Sequence, residues 1–315
     1  MLRWARTNGC PWNAGTTTGA AKGGHLEVLI YARQNGCAWN ERVTSEAAKM
    51  GHLAVLQWAR ANGCPWNEGV CTFAAAKNGH LAVIKWAWNN GASRSNYVCC
   101  NAAETGQLAV LRWARGEAGC RWSHYTTSYA AKGGHLAVLQ WARANGCPWS
   151  EDTCSSAALG GHLAVLKWAR ENGCPWDAQT CTFAAKGGHL AVLQWARANG
   201  GRWSAETCAW AAAGGQLETL QWARANGCPW DELTCTFAGT YSFVSNASKE
   251  YVSSQCLRSS PLCSLSLVSA AKSGHLEVLQ WARANGCLWD AAVCARAAYA
   301  RQDAVLAWAH ANGCP

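Results

Sequence analysis

The sequence predicts an all-α, helical-repeat solenoid, and three observations predict it. First, a block close to "AAKGGHLAVLQWARANGCPW" recurs along the chain. Its closing Trp falls at Trp12, Trp39, Trp66, Trp122, Trp149, Trp176, Trp203, Trp230 and Trp289, with Arg94 once in that place. Up to Trp230 the steps are 27 or 28 residues, and a fixed period of this size marks an array whose members bury their apolar faces on one another. Second, the apolar residues of each block fall at helical spacing, with no alternating stretch that reads as a strand. Third, half of the 315 residues are apolar and 21 are Trp, enough for a continuous core.

Residues 1–12 supply only a second helix, and the repeats then run 13–39, 40–66, 67–94, 95–122, 123–149, 150–176, 177–203, 204–230 and about 263–289. Residues 177–203 illustrate the elements in order. Asp177 is a helix N-cap, and Asn13, Asn40, Asn67, Ser95, Ser123, Ser150, Ser204, Asp231 and Asp290 share its phase. A short first helix follows, with Cys181, Ala184 and Ala185 on one face, and Gly187-Gly188 stops it. The second helix runs from about His189 to Asn199, its wide apolar arc built from Leu190, Val192, Leu193, Trp195 and Ala196. Gly200 is placed as a left-handed cap, as are Gly63, Gly146, Gly173 and Gly227. Pro then blocks continuation in most repeats, so helix-turn-helix follows helix-turn-helix with almost no loop.

The stretch "AAKGGHLEVLQWARANG" resembles the ankyrin repeat pattern "LAAxxGHLEVVKLLLExG", and the likeness recurs over most of the chain. It departs from that family in two ways. An ankyrin repeat has about 33 residues and opens its first helix with Thr-Pro-Leu-His, whereas here the opening reads "QTCTF" and the connection is shorter. The resemblance therefore implies an ankyrin-like solenoid whose projecting hairpin fingers are reduced to tight turns. Trp also replaces a core Leu of the second helix, at Trp4, Trp58, Trp86, Trp113, Trp141, Trp168, Trp195, Trp222, Trp281 and Trp308, with Tyr31 at the same phase. This ladder is expected to be buried.

The array divides into residues 1–238, an irregular interruption or degenerate repeat at 239–262, and C-terminal repeats at 263–315. The interruption is Ser-rich and lacks the Gly-His-Leu signature, which reads as a long loop or a decayed repeat. It is expected to leave the C-terminal pair of repeats weakly coupled to the rest. Neither end carries a polar capping face, as terminal repeats do, so the chain reads as a fragment of a longer array.

No run approaches the roughly 18 apolar residues of a membrane span, and the start has no secretory h-region. The expectation is a monomeric protein of the cytoplasm, with the nucleus also open to it. Most of the 19 Cys occupy two phases, one after the second-helix Gly and one in the first helix. Same-phase cysteines of successive repeats are separated by the spacing of packed helices, about 8–10 Å, which is too far to bridge. Reduced, structural cysteines are expected.

His25, His52, His80, His135, His162, His189 and His275 share a phase one whole repeat apart, too far to share a metal, and are read as bonding backbone at the inter-helix turn. No cofactor or metal site and no catalytic constellation stands off the repeat phase, so no enzyme is expected. A net charge of +9 raises nucleic acid as a partner, through the column Arg6, Arg33, Arg60, Arg115, Arg143, Arg170, Arg197, Arg224 and Arg283. Cations in a helix's last turn are also favoured by its dipole, which accounts for the column without a ligand.

The phase that varies lies six residues after each cap: Gly19, Glu46, Phe73, Asn101, Tyr129, Ser156, Phe183, Trp210, Phe237 and Arg296. It is two residues beyond the core Cys position, on the far side of the helix. Phe73, Tyr129, Phe183 and Trp210 are the candidate partner-binding residues, on the inner, first-helix face of the solenoid. The alternative is that the rings lie flat on the neighbouring first helix as peripheral core. The function read from this pattern is a protein-protein interaction scaffold or adaptor whose partner the sequence does not name.

Overall fold

The computed structural model describes residues 2–229, 270–286 and 291–314, and every regular element among them is an α-helix. The interruption at 239–262 lies outside the described residues. The chain forms two compact blocks, Met1–Trp149 and Ser150–Pro315.

In the first block α1 (Leu2–Thr7) precedes five helix pairs. The first helices are α2 (Ala14–Lys22), α4 (Glu41–Lys49), α6 (Glu68–Lys77), α8 (Tyr97–Glu104) and α10 (His124–Lys132). The second helices are α3 (Leu26–Gln34), α5 (Leu53–Ala61), α7 (Leu81–Asn89), α9 (Leu108–Gly116) and α11 (Leu136–Ala144). Each first helix packs on the next first helix and on its own second helix, the nearest-neighbour logic of a helical-repeat solenoid. The second block holds α12 (Glu151–Leu159), α13 (Leu163–Glu171), α14 (Ala178–Lys186), α15 (Leu190–Ala198), α16 (Ala205–Ala213) and α17 (Leu217–Ala225). After the undescribed residues come α18 (Leu276–Ala284), α19 (Ala291–Tyr299) and α20 (Asp303–Ala311).

Most caps do what their side chains suggest, but Ser123 makes no capping bond and α8 is capped at Asn96 rather than at Ser95. Asn40 accepts from the Arg42 N–H at 3.0 Å and Asp177 from the Gln179 N–H at 3.0 Å, each satisfying a donor that the first helical turn leaves open. Paired alanines such as Ala47-Ala48 and Ala184-Ala185 are fully buried, so first helices approach closely across a surface of methyl groups. One large residue per repeat anchors the second helix. Leu29, Leu56, Ile84, Leu111, Leu139, Leu166, Leu193, Leu220 and Leu279 are all essentially inaccessible to solvent.

The second-helix Trp residues are not core, contrary to the expectation. Trp58, Trp86, Trp113, Trp141, Trp168, Trp195 and Trp222 are half-buried, and Trp4 is 69% exposed. Their phase lies at the margin of the apolar arc, so most of these rings lean on the closing Trp of the repeat before, while Trp113, preceded by Arg94, packs on Trp88. Trp39 meets Trp58 at 5.8 Å and Trp203 meets Trp222 at 5.9 Å between centroids, both edge to face, the arrangement aromatic quadrupoles favour.

The left-handed caps are where the sequence placed them, with φ of 79° at Gly63, 79° at Gly146, 82° at Gly173 and 80° at Gly227. A second left-handed glycine follows each described first helix but the last, where Arg301 takes the position at φ 54°, and its role is intimate packing. At Gly51 φ is 77°, and a Cβ there would fall 2.5 Å from Nδ1 of His80 in the next repeat. The Nε2–H of the same ring donates to the Lys49 carbonyl at 2.9 Å. His52, His135 and His189 bond Lys22, Glu104 and Leu159 carbonyls in the same way. These histidines are structural, and each serves the turn of the preceding repeat. His275 approaches Gly215 as His80 approaches Gly51, although residues 231–269 intervene in sequence. Such a contact is the one that adjacent repeats make, which is not what a weakly coupled C-terminal pair would show.

The expectation of reduced cysteines fails at Cys294 and Cys314, which form a disulfide with Cα atoms 6.6 Å apart. Same-phase cysteines are indeed distant, but the two phases meet inside one repeat, where the first helix packs on the closing turn. The other described cysteines are free thiols, and all but Cys10 are buried.

Candidate functional site

Phe183 on α14, Trp210 on α16, Tyr129 on α10 and Phe73 on α6 are all half-buried. None belongs to the set of fully enclosed side chains, and each leaves ring surface to solvent. Tyr129, Phe183 and Trp210 each stand six residues before the His or Gln of their inter-helix turn. Phe73 does not. Helix α6 has ten residues where most helices of the array have nine, and Ala74 takes the position held by Phe183. Phe73 instead leans on Tyr97 of the next repeat, with centroids 5.8 Å apart.

The lysine that ends α2, α4, α6, α10 and α14 lies one turn from the varying phase, and twice its charge is drawn onto a ring. Lys186 Nζ sits 4.0 Å from the Trp210 centroid, and Lys132 Nζ sits 5.9 Å from that of Tyr129, both cation–π geometry. Burial pulls the Lys186 ammonium below its ordinary pKa. In the first block the column is inverted once. Glu104 accepts ion pairs from Lys77 and Lys132, both at 3.1 Å, and so ties three successive repeats together. Partial burial raises the Glu104 carboxyl, but the bonds from Lys77 and Lys132 outweigh it and hold the group below the usual carboxylate range.

Three exposed aromatics escaped the sequence reading, Tyr299 in the last repeat and two in the first block. Tyr97 is 60% and Tyr125 54% exposed. Tyr97 and Tyr125 stand one helical turn before the varying phase, so extending that phase by i−4 finds them.

The second helices carry a different arrangement. Arg143 lies over Trp149 with 4.0 Å to the centroid, while its Nη1 donates to the Cys147 carbonyl at 2.6 Å. Arg197 does the same with Trp203 at 3.9 Å and the Gly201 carbonyl at 2.7 Å. The column thus clamps each helix end to its closing turn. At one repeat the clamp is reversed: Trp88 holds the Arg position and Arg94 the Trp position, still 5.9 Å apart. This Trp is buried, stacks on Trp113 at 4.9 Å and has no protein partner for its Nε1. The sequence showed Arg94 as an exception, and the missing Arg six residues earlier was the signal for its compensation.

Among the described residues no group of three or more His, Cys, Asp or Glu side chains could hold a metal ion, and no helix is long and apolar enough to cross a membrane. No protein-family model and no curated protein matches the chain.

Proposed function

We propose that this chain is a protein-binding scaffold built from ankyrin-like repeats, acting in the cytoplasm or nucleus as a monomer and without catalysis. The observation that carries this reading is the half-exposed rings at one phase of otherwise uniform first helices, the neighbouring pair Phe183 and Trp210 in the second block and, separately, Tyr129 in the first, with lysines beside Trp210 and Tyr129. Aromatic side chains with one face seated and one face open lose little conformational freedom on binding and give large contact area. Phe73, Tyr97 and Tyr125 extend the surface in the first block. The test is affinity capture with wild type and with the Phe183→Ala, Trp210→Ala double variant. Partners bound by the first and lost by the second, with helicity unchanged, support the reading; identical capture profiles remove these residues from the surface.

A second reading has its own observation. In the first block the second helices and closing turns carry Arg33, Arg60, Lys85, Arg94, Arg112, Arg115, Arg121 and Arg143 against only Glu27 and Glu117. A basic face of this kind suits single-stranded nucleic acid, and its mark is retention on an oligonucleotide matrix that falls steeply with salt. The Arg clamps weigh against it, because their guanidinium groups are already engaged.

A further inference from the structure

The first-helix cysteine and the closing-turn cysteine of one repeat meet wherever both are present. In the last repeat they are bonded, as Cys294–Cys314. Three other repeats hold both: Cys99 with Cys120, Cys154 with Cys174, and Cys208 with Cys228. The closing turns of the last two of these are built like that of the bonded pair, while the Cys120 turn is one residue longer and its N–H donates to the Ala114 carbonyl at 2.8 Å. The Cys174 N–H donates to the Ala169 carbonyl at 2.9 Å and the Cys228 N–H to Ala223 at 2.9 Å, as Cys314 does to Ala309 at 3.0 Å. In each unbonded pair the turn cysteine pushes the first-helix thiol above its ordinary pKa, and the Cys120, Cys174 and Cys228 thiols also reach the Ser95, Ser150 and Ser204 carbonyls at 3.8, 3.5 and 3.6 Å. Repeats lacking one member show the same seam. Thr44 and Thr127 stand at the first-helix position and donate to the Pro65 and Pro148 carbonyls, both at 3.0 Å, beside Cys64 and Cys147. Where the turn residue is Gly201, a Cβ would fall 3.2 Å from Cys181 Sγ.

We infer that Cys99–Cys120, Cys154–Cys174 and Cys208–Cys228 are disulfide-forming sites for a small hydroperoxide, so that repeats with both cysteines close covalently and repeats with one do not. The last repeat's Cα separation of 6.6 Å is within the span a disulfide bridges, and the matching turns of Cys174 and Cys228 ask for no backbone rearrangement. At Cys99–Cys120 and Cys208–Cys228 the turn cysteine is the attacking sulfur. Cys120 is held below its ordinary pKa by the hydrogen bond from Cys99 and by Arg115, and Cys228 by Cys208 with Arg224 and Arg197 also lowering it. Its thiolate attacks one peroxide oxygen, the O–O bond breaks, and hydroxide leaves a sulfenic acid. The first-helix sulfur then attacks that sulfur, the S–O bond breaks, and the departing hydroxide takes the second thiol's proton as water. Two thiols supply two electrons, and one peroxide ends as two waters.

The test uses the full chain, fully reduced, exposed to hydrogen peroxide without denaturant, then alkylated under denaturing conditions and mapped as peptides without reduction. The expected result is cross-linked peptides for the three pairs alongside Cys294–Cys314, with Cys37, Cys64, Cys71, Cys147 and Cys181 recovered alkylated. These equally buried single thiols are the internal control. Cys154→Thr, which copies Thr44 and Thr127, should lose only the Cys154–Cys174 link and leave Cys174 alkylated. Recovery of all six thiols alkylated while Cys294–Cys314 forms would overturn the inference. So would cross-links that join cysteines of different repeats.

Discussion

The two helix layers of each block differ in what they repeat. The second helices restate one solution, with an inaccessible Leu or Ile, a marginal Trp and, in most repeats, an Arg over a closing Trp. The first helices hold their alanine pairs constant and change the phase beside them from Gly19 to Glu46 to Trp210. Uniformity in one layer fixes the position of the other, so first-helix surface residues can differ without altering how repeats stack. The lesson is a division of labour: second-helix anchors and first-helix alanine pairs hold the stack, and the open phase of the first helices carries the variation.

The largest effect should come from the layer that repeats. Leu166→Ala deletes a fully buried anchor and should destabilise by about 2–5 kcal/mol. Phe183→Ala removes a half-exposed ring and should cost only about 1 kcal/mol. Equal shifts in urea midpoint would erase the distinction between the layers.

Next come the glycines. Gly51→Ala places a Cβ into His80 at a left-handed φ and should cost about 2–3 kcal/mol, through backbone strain and the His80–Lys49 bond. Gly173→Ala has the same backbone but nothing within 4 Å, and should cost about 1 kcal/mol. A comparison of the two thermal midpoints checks this, since similar values would mean that the seat on His80 contributes little.

Arg143→Gln removes the cation over Trp149 and its bond to the turn, with an expected loss of about 1 kcal/mol. An unchanged urea midpoint would leave the Arg column without a structural role and return it to the nucleic-acid reading.

Smallest is Glu104→Gln, at about 0.5–1 kcal/mol for two partly exposed ion pairs. The pH profile carries the sign. Glu104 is held below its ordinary value in the folded chain, so its contribution is present at neutral pH and is lost as acid protonates it through that lowered value. Wild type and variant should therefore differ at pH 7 and converge in acid. A constant difference across that range would deny the ion pairs.

Caps, helix lengths and the left-handed glycines at Gly63 and Gly173 were legible because each depends on residues a few places apart, and repetition averages out local exceptions. Three features were not. Burial of the Trp ladder depends on where its phase meets the edge of the apolar arc, which composition cannot resolve. Phe73 was placed by counting from its cap, whereas the His80 turn sets the register and the extra residue of α6 lies between them. The cysteine pairs were missed by comparing one phase across repeats, although the contact lies between two phases within a repeat. Of the candidate surface, the varying phase was legible; Tyr97 and Tyr125 required knowing that one helical turn earlier is equally open to water.

The seat of His275 on Gly215 spans residues that the stacking rule does not need. Each seam asks only for a glycine and a free carbonyl on one side and a ring or amide donor on the other, and Gln302, donating to the Lys272 carbonyl at 3.2 Å, shows that the donor need not be histidine. Any repeat can then follow any other. Such a chain grows or shortens by whole repeats through unequal recombination without redesigning an interface, and foreign sequence can enter at a seam while the neighbours on either side still find each other.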